Sequence, residues 1–185
     1  MFSADRMMQT FFPTLAEVIS KPVDFFKKMP RTAYYKDSLL YILIIFVLES
    51  VVAIPYSKFS LMFLLPAYAI AMLVWLWVWA SLMGAFARSL GSWLTTVNAF
   101  QIAAYAATPW ILAPWPWLTI PTMLWFVALN WLGLVHLGKL SASKAAIVAG
   151  ILGIVLALPT GWAEMQIFHL MPKLPALLGG QPHGA

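Results

Sequence analysis

The sequence predicts an all-α membrane protein, a five-helix transmembrane bundle preceded by an amphipathic interfacial helical arm. Three observations lead there. First, 63% of the 185 residues are hydrophobic and only 9% are charged, whereas a soluble domain is about a quarter charged. So little polar surface cannot cover a water-soluble globule, which excludes a soluble enzyme, a disordered chain and a disulfide scaffold. Second, the chain contains five apolar runs of near-membrane length. Third, its basic residues fall unevenly between the connections of those runs.

The runs are Ser38 to Tyr56, Leu61 to Ala87, Thr96 to Pro114, Leu118 to Leu137 and Ala145 to about Met165. A helix crossing the hydrocarbon core needs ~20 predominantly apolar residues. Strands are excluded because an open sheet leaves backbone amides unpaired in lipid, and no alternating pattern of barrel type is present. Pro109 and Pro121 are expected to kink the third and fourth spans. With the N-terminus cytoplasmic, that side holds Arg6, Lys21, Lys27, Lys28, Arg31, Lys36, Arg88, Lys139 and Lys144, and the other only Lys58 and Lys173. Nine basic residues against two place the N-terminus inside and the C-terminus outside. The net charge of +5 is thus a topology signal and an attraction to anionic lipid, not a nucleic-acid signal. No continuous apolar stretch opens the chain, so no cleavable signal peptide is expected.

Residues 1–37 form the arm, 38–165 the membrane domain and 166–185 a short tail containing Pro and Gly. Within the arm, Phe12, Leu15, Ile19, Val23 and Phe26 lie on one helical face. Glu17, Lys21, Asp24 and Lys28 lie on the other, spaced for Glu17–Lys21 and Asp24–Lys28 pairs. Pro22 divides the arm, with Ser20 placed to cap the second helix and Pro22 in its first turn. The arm is expected to lie in the interface, with Phe12 and Phe26 in the acyl region and Lys21, Lys27, Lys28 and Arg31 at headgroups. The alternative is a brace packed beneath the bundle.

The intramembrane polar residues are few. Glu49 is the acidic residue inside a span, and it either faces the bundle or reaches water near the span's end. Asn130 is expected to make an interhelical hydrogen bond. His136 closes the fourth span as a capping or interfacial residue. His169 and His183 have no partner with which to build a metal site. Tyr105 and Pro109 flank the break in the third span. Trp75, Trp77 and Trp79 fall near the middle of the second span, facing core, lipid or a partner. Trp110, Trp115, Trp117 and Trp162 read as an outer interfacial belt. In the fifth span, Ala146, Gly150, Gly153, Ala157 and Gly161 form a small-residue stripe that admits a close helix. Its expected partner is the third span, through Ala99, Ala103, Ala106 and Ala107, or a neighbouring subunit.

No catalytic, cofactor-binding or metal-binding constellation is present: the sequence has no P-loop, HExxH, dinucleotide glycine motif or Ser/His/Asp set. The absence of cysteine removes thiolate chemistry and Cys-based metal sites.

Four segments in order resemble the YIP-domain membrane proteins. SKPVDFFKKM resembles that family's K-P-x-x-F-F pattern, and AFARSLGSW its A-R-x-L-G-G loop, with the single Gly91 where many members have two glycines. AYAATPWIL is similar to A-Y-A-x-x-P, and WFVALNWLGLVHLGKLSASKAA to the segment joining spans four and five. Together they run from about Lys21 to Leu158. The Asp-Leu-Tyr-Gly-Pro signature of the long eukaryotic N-terminal region is not in this sequence, so the Rab-binding role of those members is not carried over. The resemblance, to the short prokaryotic type, implies a five-span fold and a non-enzymatic role.

The expected function is that of a non-catalytic scaffold or organiser in a prokaryotic inner membrane. It would contact lipids and either other membrane proteins or a second copy of itself. An accessory subunit of a larger respiratory or photosynthetic complex is the first alternative. A small transporter with Glu49, Tyr105, Pro109 and Asn130 along its pathway is the second.

Overall fold

The computed structural model describes residues 2–31, 35–57, 65–115 and 117–163. Lys58, His169, Lys173, His183, the end of the fifth run at Met165 and the tail lie outside them. Among the described residues every regular element is helical: α1 (Met7–Ser20), α2 (Pro22–Lys28), α3 (Tyr35–Ser57), α4 (Leu65–Ser89), α5 (Thr96–Ala106), α6 (Thr119–His136) and α7 (Ala142–Leu152). A 3-10 segment, Thr108–Leu112, follows α5, and α7 continues through a π-helical turn, Gly153–Ala157, to Ala163. Three helices among the described residues are long and apolar enough to cross a membrane: Ala67–Ser89, Thr119–His136 and Ala142–Ala163.

The third run differs most from expectation. Instead of one kinked span, α5 stops after 11 residues, about 16 Å of helix. The chain then tightens into the 3-10 turn that carries Pro109, which cannot supply the N–H a continuing helix needs. Pro121 does not kink α6, because it falls in the first turn, where the missing donor costs nothing.

The five segments from α3 onward alternate in direction around α5. Ring pairs Tyr35–Phe100, Tyr41–Tyr105 and Phe46–Trp110 advance together along α3 and along α5 with its 3-10 turn, so the two run parallel. Helix α4 runs opposite, with Gly84 against Ala99 at one end and Trp75 against Trp110 at the other. Helix α6 also opposes α5, with Gly133 on Ile102 and Phe126 on Trp110. Helix α7 opposes α6, with Gly153 on Val127 and Gly161 on Met123. Enclosed by these neighbours, every residue from Asn98 to Ala106 is buried.

Local chemistry sets the helix ends. Thr95 caps α5 by accepting from Asn98 N–H at 3.2 Å, and Ser141 caps α7 by accepting from Lys144 N–H at 3.4 Å. Helix α4 ends at Gly91, whose φ of +95° suits a residue without Cβ. Ser92 N–H reaches back to Ala87 C=O at 3.0 Å, closing a Schellman turn.

The arm packs differently from its sequence reading. Phe25 and Phe26 are both buried, so Phe26 is a core residue rather than a lipid contact, while Phe12 is 65% exposed. Phe2 and Phe11 close on Tyr41, and Phe25 on Tyr105, with ring centroids 5.1–5.6 Å apart. Tyr41 stands six residues into α3 and Tyr105 nine into α5, so these rings reach roughly 10 Å along the bundle. The Glu17–Lys21 and Asp24–Lys28 pairs do not form. Glu17 instead meets Lys28 across the bend between α1 and α2 at 3.6 Å. Ser20 does not cap α2, because its hydroxyl donates to Ala16 C=O at 2.6 Å, while Pro22 does open α2.

Candidate functional site

Several polar residues of the helices are held by partners on neighbouring segments. Asn130 accepts from Trp79 Nε1 at 3.2 Å and donates to Phe126 C=O at 2.8 Å, the interhelical bond its type predicts. Glu49 is buried rather than water-facing, and Tyr68 Oη donates to its Oε1 at 2.7 Å, joining α3 to α4. Tyr41 and Thr108 share a 2.8 Å hydroxyl contact, and Thr108 also donates to Tyr105 C=O at 2.6 Å. Proline 109 follows directly, buried in the 3-10 turn. These are separate latches between helix pairs. Among the described residues no three His, Asp or Glu side chains gather into a metal-binding group.

Other buried side chains were not anticipated. Ser38 on α3 faces the Tyr105 hydroxyl on α5, while Thr14 on α1 and Gln101 on α5 each bury a side-chain oxygen that meets no hydrogen-bond partner. Desolvating such an atom costs about 1–3 kcal/mol. Sequence periodicity gives no warning of it, since Thr14 and Ser38 read as ordinary helix residues.

The tryptophans divide by depth. Trp79 is buried and stacks on Trp75 at 5.5 Å, and both meet Phe126. Trp77, two residues from each, is 51% exposed. Trp110 is not an outer-belt residue: it is fully buried between Phe46, Trp75 and Phe126, because the break at Ala107 turns it inward. Trp117 and Trp162 are exposed, at 76% and 60%.

The small-residue stripe of α7 faces α6, not α5. A Cβ at Gly153 would meet Val127 at 3.0 Å, and one at Gly161 would meet Met123 at 2.7 Å, whereas a Cβ at Gly150 meets nothing within 4 Å. Ala157 is buried and Ala146 exposed. The stripe is therefore covered at one end and open at the other. The alanines of α5 pack instead toward α4, where Ala99 lies 3.3 Å from a Cβ built on Gly84.

One end of the bundle is basic. Lys144 Nζ donates to Leu90 C=O at 2.9 Å, and Arg88 Nη1 to Leu94 C=O at 3.0 Å. Ser92 Oγ ties the α4–α5 connection to Gly138 C=O at 2.6 Å. Asn98 Nδ2 donates to Arg31 C=O at 2.8 Å, while the Arg31 guanidinium lies over Trp93, 5.4 Å from the ring centroid. Lys27 and Lys139 are the charges nearest His136, in the last turn of α6. The side chains of Lys21, Lys27, Lys28, Arg31, Lys139 and Lys144 are exposed. No protein-family model, curated protein or solved structure matches this chain.

Proposed function

We propose that the chain is an integral protein of a prokaryotic inner membrane that acts as a non-catalytic organiser, with five passes and its N-terminus inside. One observation supports this above the others: the apolar arc of α1 is wider than the bundle covers. Phe11, Thr14 and Val18 are buried, yet Met8, Phe12 and Ile19, on an adjacent arc about 100° away, stand exposed beside the basic residues of the arm. Such a surface suits a lipid interface. The arm is then both brace and anchor. Alternation of α3 to α7 and the basic clustering at one end support the orientation, and the YIP-type landmarks agree with a structural role.

The open end of α7, Ala146 to Gly150 beside exposed Ile147 and Ile151, supports contact with another membrane helix, from a second copy or from a larger complex. A transport pathway is less favoured, because Glu49 and Asn130 are already engaged by partners on other helices. A photo-crosslinker placed at Ile147 in native membranes is expected to capture a protein. Capture of lipid alone would sink the organiser reading.

A further inference from the structure

Helices α3 and α4 are joined at one end by Glu49 and Tyr68, and away from that joint they leave a groove. It is a cavity of about 220 Å³ lined by Tyr35, Leu39, Leu73, Val74, Trp77 and Phe100. The Tyr35 hydroxyl and the Trp77 indole N–H are the polar groups of these side chains. Trp77 and Val74 are more than half exposed, so the groove opens sideways. It is too small for a helix, whose diameter with side chains is about 10 Å.

The groove lies toward the basic end, where α3 and α5 begin. Tyr35 opens α3 and meets Phe100 in a tilted ring contact at 5.0 Å, and in the first turn of α5 Asn98 holds the Arg31 carbonyl. Arg31 stands four residues before Tyr35 with its guanidinium on Trp93, and no described carboxylate pairs with it. Going inward from the basic end, an exposed cation with no carboxylate partner among the described residues is thus followed by an aromatic-lined slot. That order matches a glycerophospholipid from phosphate to acyl chain. The planar fork of arginine suits phosphate oxygens.

We propose that this groove is a binding site for one anionic phospholipid of the surrounding leaflet, its phosphate at Arg31 and an acyl chain along Leu39, Leu73 and Trp77. The site rests on the membrane reading above and gives it a specific lipid class.

Native mass spectrometry of the full chain in mild detergent, titrated with phosphatidylglycerol or phosphatidylcholine, tests it. One phosphatidylglycerol is expected to be retained at least fivefold more strongly than phosphatidylcholine. Arg31→Gln should lower that preference about fivefold, the equivalent of ~1 kcal/mol per basic residue at an anionic surface. Leu73→Trp fills the slot and should reduce retention of both lipids, while Leu124→Ala, at an exposed position of α6, should change neither. Equal retention of the two lipids, or an unchanged preference in Arg31→Gln, overturns the site. Arg31 is exposed, so that variant decides the matter even if Leu73→Trp fails to fold. A chain that stays soluble without detergent overturns the membrane reading instead.

Discussion

Asn130 shows how much one residue type reveals. A carboxamide in an apolar helix must find a partner, so its interhelical bond was legible; that the partner is Trp79 was not. In a helix apolar all round, periodicity does not single out the inward face, and Trp75, Trp77 and Trp79 look alike until packing separates them. The same blindness put Trp110 in a surface belt. A double-mutant cycle of Asn130→Ala with Trp79→Phe, followed by unfolding in micelles, should give a coupling of about 1 kcal/mol; strict additivity would show that the bond contributes nothing. Gly91 makes a different kind of prediction. A Cβ there meets no atom, but φ is +95°, so Gly91→Ala should cost about 1 kcal/mol from backbone strain alone. Thermal denaturation in detergent measures it.

Helix contacts were harder to read than helices. The runs beginning at Ser38, Leu61, Leu118 and Ala145 correspond to α3, α4, α6 and α7 with ends shifted by a few residues, because length and charge depletion are one-dimensional signals. Which helix fills the α7 stripe depends on three-dimensional order, and spacing alone points to the alanine-rich α5 or a neighbouring subunit. The arm is ambiguous for a related reason. An apolar arc shared between protein and an open face presents one pattern, so spacing groups Phe12 with Phe26 although one is exposed and the other enclosed. Glycine substitutions should expose the difference between covered and open helix surfaces. Gly133→Ala drives a methyl into Ile102 and should destabilise by about 1–3 kcal/mol. Gly150→Ala, with no atom within 4 Å, should be neutral or slightly stabilising. Comparable losses from both, measured by denaturant unfolding in the same micelle, would contradict the close packing of α6 on α5 beside an open α7 surface at Gly150.

The orientation proposed for the whole molecule is testable without background, because the sequence has no cysteine. Ser89→Cys and Ser143→Cys, both at the basic end, should react with an impermeant maleimide from the same side of intact vesicles. Trp117→Cys, in the connection before α6, should react only from the other. Labelling of Trp117→Cys and Ser143→Cys from one side would show that α6 does not cross. The enclosure of α5 carries a further consequence, for biogenesis. Its 11 residues include Asn98, Gln101 and Tyr105, and from Asn98 onward all are buried by neighbours. A translocon weighs each emerging segment against lipid, where polar side chains are penalised, so α5 makes a poor insertion signal by itself. On the five-pass reading proposed above, it has to be retained beside α4 until α6 is synthesised. A segment this sheltered would then depend on its neighbours to enter the bilayer, and chains truncated after Leu112 should be released or degraded while chains extended through His136 persist.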